Sequence, residues 1–262
     1  MNNQMEPSAA YGLLKRDYRD EPVGTLVESV PGNQDEVKIP RSQWPERIAK
    51  IDAQKTSPYH HHLAANVPIL NQTSQKYCWA YSVVAGVMNR VAFQGIDPVP
   101  RLSAAAVAAV GTGYRNVGGH CSKAAAMIQD QGGVPTDQVW PNTATKSHRH
   151  LADSKELKDS RKQNQLVQFY DLGNDIDLAI SLLIGPTPLP VTFSLPWWRH
   201  AILGLEVLDC EKGNPESLDR YGIRFVNSYG KNWRGVGFGE IWGDKMYSWE
   251  HVAIDVIKPR SE

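Results

Sequence analysis

Asn71-Gln72-Thr73-Ser74-Gln75-Lys76-Tyr77-Cys78-Trp79-Ala80-Tyr81 runs from a polar loop into an apolar helical pattern, with a cysteine at the junction. Downstream, Ala80, Val83, Val84, Val87, Met88 and Val91 recur at helical spacing. The stretch therefore predicts a helix, apolar on one face, from Cys78 to about Phe93. A cysteine in the first turn lies among unpaired backbone N–H groups at the positive end of the helix dipole. Both favour the thiolate, which is the nucleophilic form. The competing reading is a small buried residue on a core helix, and the neighbours of Cys78 decide between the two.

Gln72 precedes Cys78 in the polar approach. An amide N–H from Gln72 and the backbone N–H of Cys78 would converge beside the sulfur, as the stabilisation of an oxyanion requires. A loop glutamine alone is a weak signal. Gln, five residues, then Cys-Trp-Ala-aromatic is a strong one, and it resembles the active-site block of the papain-like cysteine peptidases (family C1).

Further along, His200 precedes the apolar strand Ala201-Ile202-Leu203-Gly204. Asn227 lies in Val226-Asn227-Ser228-Tyr229-Gly230, followed by Trp233 and the glycine-rich Gly235–Gly239. Papain-like enzymes show His-Ala before a strand, and Asn-Ser-Trp-Gly before a Trp and a glycine-rich turn. Tyr229 stands here in place of the Trp that covers the Asn–His contact. The separations from Cys78 are 122 (200 − 78) and 149 (227 − 78), against roughly 130–150 for papain. The histidine comes slightly early, with the deficit between Thr192 and His200.

The resemblance covers roughly residues 39–258. It implies an α+β fold of two lobes, a helical left lobe and an antiparallel β-barrel right lobe, with the active-site cleft between them. It implies a cysteine endopeptidase in which Cys78, His200 and Asn227 form the triad, Gln72 completes the oxyanion hole, and an acyl-thioester intermediate is formed. No metal and no other cofactor is called for, and the partner is a peptide or protein substrate. By the same resemblance Gly118 and Gly119 pair with the substrate main chain, Cys121 lines the specificity pocket, and Trp198 and Arg199 help shape it. The family's disulfide positions are held by Gln75 and Asn116, so that bridge is absent.

Composition fits. The 262 residues carry Lys+Arg 28 against Asp+Glu 28, so neither nucleic acid nor an anionic membrane is implied as partner. There is no run of eighteen apolar residues and no signal-peptide pattern at the start. The 3 cysteines are too far apart for a disulfide framework, which points to a reducing cytoplasm. The pattern looks more like bacterial or phage-encoded relatives than secreted or lysosomal ones.

Residues 1–38 read as an N-terminal arm, with a short helix around Tyr11–Tyr18, and 39–262 as the peptidase domain. Within the domain a helical lobe spans about 45–142, a polar linker about 143–165 and a β lobe about 166–258. Helices are expected over Pro45–Gln54, after the N-cap Ser103, over Ser122–Gln131 and near Asp175–Leu183. Strands are expected at Leu166–Tyr170, Pro190–Leu195, Ala201–Leu208, Gly222–Asn227, Gly237–Trp242 and Val252–Ile257. His60-His61-His62 reads as a solvated loop. The arm is expected along the outside of the barrel lobe, where it would also offer a docking point for a partner assembly. Two rival classes remain: a catalytically weak or inactive papain-fold protein serving as a structural or binding component of an assembly such as a phage particle, and a different cysteine hydrolase, such as a cell-wall amidase or a transglutaminase-like enzyme.

Overall fold

A computed structural model describes residues 12–163 and 168–255. Helices dominate its first half: α1 (Gln34–Val37), α2 (Trp44–Gln54), α3 (Pro58–Ala64), α4 (Cys78–Phe93), α5 (Ala104–Gly111), α6 (Cys121–Asp130) and α7 (Lys155–Lys162). Strands dominate the second: β1 (Gln168–Asp171), β2 (Val191–Leu195), β3 (His200–Asp209), β4 (Tyr221–Val226), β5 (Phe238–Trp242) and β6 (Val252–Asp255), with α8 (Ile176–Leu183) between β1 and β2.

Helix α4 is the spine of the molecule. It packs against α3, α5 and α6 on one side and against β2, β3 and β6 on the other. Every residue from Cys78 to Ala92 is consequently buried, where the sequence pattern promised one apolar face. The polar residues on the remaining faces find partners inside. Asn89 donates to the Pro58 carbonyl at 2.8 Å and Arg90 to Asp255 at 2.6 Å. Gly86 lets β6 come close, since a Cβ there would lie 2.7 Å from the Ile254 side chain.

The strands form one antiparallel sheet in the order β1-β6-β2-β3-β4-β5. It is open, which corrects the expected barrel: β1 and β5 are its two edges and do not pair. The free edge of β1 is met instead by the arm, through a parallel bridge between Ser29 and Asp171 and a bond from Asp171 N–H to the Glu28 carbonyl of 2.8 Å. Covering an edge with other backbone satisfies its hydrogen-bonding groups as closure would. A second core, including Trp44, Leu178, Ile180, Phe193 and Ile223, fills the space between this sheet and α2 and α8.

Other local expectations change as well. His60–His62 lie in α3, whose N-cap Ser57 accepts from the His60 N–H and whose first residue is Pro58; these are good helix-start residues. His62 is buried there, edge-on to Phe238. In the arm, Gly12–Asp17 carries no helix, and Tyr11 lies outside the described residues. The end of the last expected strand, beyond Asp255, lies outside them too.

Candidate active site

Cys78 is the first residue of α4, and His200 is the first residue of β3. Asn227 follows β4, which pairs with β3 in the register Leu203 to Val226. His200 and Asn227 therefore emerge at the same end of neighbouring strands. His200 Nε2 and Asn227 Oδ1 are 2.8 Å apart, and the same oxygen accepts from the Ser228 N–H at 2.8 Å. An amide oxygen only accepts, so the imidazole proton sits on Nε2 and Nδ1 keeps its lone pair. Nδ1 is buried and has no hydrogen-bond partner among the described residues. The backbone N–H of Ala201, next to His200, reaches the Cys78 sulfur. The fold thus brings the cysteine, the histidine and the asparagine into one place.

An aromatic cluster shields the His–Asn bond. Tyr229 stacks on the imidazole with centroids 4.8 Å apart and planes at 20°, and Trp198 lies 4.7 Å away on a tilted ring. Trp233 backs both of these aromatic rings. Tyr229 so takes the covering position that a Trp holds in the sequences it resembles. Trp198 supports the imidazole, whereas Arg199 is exposed on the preceding turn with a φ of 48°.

Gln72 is fully buried. Its loop is zipped to the asparagine loop by bonds from Gln72 N–H to Ser228 O at 2.8 Å and from Gly230 N–H to Leu70 O at 2.9 Å. The Gln72 side chain accepts from the Ser228 hydroxyl at 2.5 Å and donates one N–H to the Gln75 carbonyl at 2.9 Å. Its NH₂ carries a second hydrogen beyond that bond. Ser228 was not singled out by the sequence, although its place beside Asn227 makes it the link between the two loops.

Among the described residues Gly119, but not Gly118, is already paired with a peptide, the chain's own arm. Leu14 N–H donates to Gly119 O at 2.8 Å and Gly119 N–H donates to Gly12 O at 2.9 Å, a parallel bridge centred on Leu13. Gly12, Leu13 and Leu14 of the arm therefore lie along the Gly118-Gly119 segment and against Lys76, contrary to the outside placement expected from the arm's length, while the part near Ser29 follows the sheet edge. Glycines on both sides permit this approach. A Cβ on Gly118 would lie 2.6 Å from Gly12 O, and one on Gly12 would lie 2.4 Å from Lys76 O.

Burial reverses the expected ionisation. Burial pushes the Cys78 thiol up to about 12, against the pull of the N–H groups of Ala201, Trp79, Cys78 and Gly12. Burial likewise lowers His200 to about 4, although its bond to Asn227 opposes this. In this arrangement both groups are neutral. The helix N-terminus acts as foreseen, but desolvation outweighs it.

Cys121 opens α6, buried, with its sulfur 3.5 Å from Ser82 Oγ and 3.4 Å from Ser194 Oγ. All three cysteines are free, Cys210 being exposed. Where the family's bridge would be, the Asn116 side chain accepts from Lys76 N–H at 2.7 Å and donates to Ser74 O at 3.4 Å. Among the described residues, metal-ligating atoms gather at Asp52, His60 and Glu206. That group shares no residue with the Cys78 site, and Lys55 and Arg224 already pair with its carboxylates.

No protein-family model and no curated sequence matches the chain; the likeness is structural. The chain is similar to procathepsin L 3 of Tenebrio molitor larval midgut (TM-score 0.56, 16% identity, covering 72% of this chain and 66% of that one). It is similar to the recombinant stem bromelain precursor (0.56, 16%, covering 75% and 68%). It is also similar to xylellain, a cysteine protease from Xylella fastidiosa (0.52, 13%, covering 73% and 83%). The fold is thus that of the papain-family cysteine proteases, and this chain spans only about two thirds of the length of the two precursors. No helix among the described residues is long and apolar enough to cross a membrane.

Proposed function

We propose that the protein is a cysteine endopeptidase whose own arm holds it latent. The observation that carries this reading is a peptide segment bonded as a strand to Gly119, with its Gly12 packed against the backbone of Lys76, two residues before Cys78. A cleft that takes the main chain of the arm is shaped to take the main chain of a substrate. The arm itself survives because it runs parallel to the Gly119 segment.

With a substrate in place of the arm, His200 Nδ1 takes the Cys78 proton and the thiolate attacks the peptide carbonyl. The Cys78 N–H and the free hydrogen of the Gln72 amide hold the oxyanion. His200 returns the proton to the leaving amine, and the acyl group is then on Cys78 as a thioester. Water, deprotonated by the same nitrogen, releases the acid. Asn227 keeps the tautomer and the plane of the ring. Free thiols, one of them exposed, suit a reducing compartment, and we place the protein in the cytoplasm.

The reading is tested with a peptidyl vinyl sulfone and peptide mass mapping. Slow addition confined to Cys78, lost in His200→Ala at neutral pH, is expected. Equal addition to Cys78 in the His200→Ala protein would refute it.

A further inference from the structure

Beyond Leu14 the arm drives a charged side chain into the protein. Arg16 is 2% exposed, and a buried guanidinium is costly unless its hydrogens and charge are met. Nη1 lies 2.7 Å from Asp171 Oδ2, 3.2 Å from Ser122 Oγ and 4.0 Å from Glu250 Oε2. Nε and Nη2 hold the carbonyls of Glu21 at 2.8 Å and Pro22 at 2.5 Å. The side chains of Asp171 and Glu250 are 0% and 1% exposed.

Donors from the body of the protein and from the arm converge on both carboxylates. Glu250 accepts from the Cys121 N–H and from Ser122 Oγ, the latter at 2.7 Å. Asp171 accepts from Gly173 N–H at 3.0 Å, and from Gly24 N–H of the arm at 3.0 Å. Although burial works against it, the bonds from His120, Ser122 and the Cys121 N–H hold the Glu250 carboxyl below its usual range. His120 is the other nearby base, 3.7 Å from Glu250 and 3.1 Å from Glu21.

The position of Glu250 relates this cluster to the cleft. Cys121 and Ser122 start the helix just after Gly119, the residue that bonds the arm main chain. Ser194, 3.5 Å from Glu250 Oε1, pairs across the sheet with Ala201, the neighbour of His200. The carboxylate thus sits between the glycine that holds a peptide and the strand that carries the histidine. Resting on the peptidase reading, we propose that Glu250 and Asp171 form a specificity pocket for a basic side chain of the substrate, an arginine in preference to a lysine, which Arg16 fills while the arm is closed. When the arm leaves, two buried anions lose their guanidinium. An apolar side chain would leave them unpaired, whereas an arginine on the acyl side of the scissile bond restores the pair with its planar fork of donors.

The test uses the full chain carrying Arg16→Met, which keeps the methylenes and removes the charge, with circular dichroism to verify folding. Calorimetry with acetyl-argininamide and acetyl-leucinamide reads the pocket without any turnover. Acetyl-argininamide should bind Arg16→Met about tenfold or more tighter than acetyl-leucinamide does, and Arg16→Met/Glu250→Gln should lose that preference. Equal binding of the two amides, or none, would show Arg16 to be a structural clasp and overturn the proposal. If Arg16→Met does not fold, Arg16→Gln, which also removes the charge, takes its place with the same two outcomes.

A second arm compares two fluorogenic peptides that differ only at the residue two before the scissile bond, arginine or leucine. Wild-type kcat/KM should favour arginine, and Glu250→Gln should abolish the preference. A leucine preference in the wild type would overturn the substrate assignment. Cleavage of neither peptide, with amide binding as expected, would count against the peptidase reading and leave the pocket standing.

Discussion

Gly12→Ala sets a methyl group against the backbone of Lys76. The added Cβ would lie 2.4 Å from the Lys76 oxygen and 2.6 Å from its carbonyl carbon. Those atoms are tied down, since Lys76 O accepts from Trp79 Nε1 at 3.0 Å and Lys76 N–H donates to Asn116 at 2.7 Å. The arm therefore has to move. The bonds between Gly119 and the arm, Gly119 N–H to Gly12 O and Leu14 N–H to Gly119 O, break together. At about 1 kcal/mol each, with about 1 kcal/mol for part of the burial of Leu13, the closed arrangement loses about 2–3 kcal/mol. A sealed thiol reacts through its opened fraction, so alkylation of Cys78 should quicken about 30- to 150-fold. Iodoacetamide uptake followed by peptide mass mapping gives the rate, with the exposed Cys210 as internal standard. A Gly12→Ala protein that folds normally and alkylates Cys78 at the wild-type rate would refute the seal.

The hydrogen bonds of Asn116 replace a bridge, so Asn116→Ala should cost about 1–2 kcal/mol and lower the melting temperature by a few degrees. Reductant should leave the wild-type melting temperature unchanged because all three cysteines are free; a fall would contradict this. Burial lowers His62, His200 and His251 to about 4, while the unfolded chain takes up these protons near pH 6.5. The unfolded state then binds more protons between these values, so stability is lost as pH falls from about 6.5 to 4. Urea midpoints should drop between pH 7 and pH 5, and a flat profile would contradict the burial of these rings.

Much of the architecture is legible because it is local. Ser103 and the alanine run announce α5, the alternations after residue 168 announce the strands, and the spacing after Cys78 announces α4. The helix α3 was legible too, since Ser57-Pro58 is a start signal that the three following histidines obscure. The openness of the sheet was not, because it depends on which edges meet and not on any one strand. The place of the arm was not legible either: Gly12 has no meaning until Gly119 lies opposite it. Arg16 carries no signal in the sequence, because Asp171 and Glu250, which surround it, lie far along the chain. The ionisation of Cys78 failed for the same reason. Its helix terminus is a local feature, but the burial that outweighs it comes from residues far away in the chain.

The central claim is that Cys78 performs peptide hydrolysis in a cleft closed by the arm. The most direct measurement is turnover of a fluorogenic peptide by Gly12→Ala and by Gly12→Ala/Cys78→Ala. The single variant should hydrolyse the peptide faster than the wild type, and the double variant should show no turnover while keeping its melting temperature. Hydrolysis that persists in the double variant, or is absent from the opened single variant, would contradict the account.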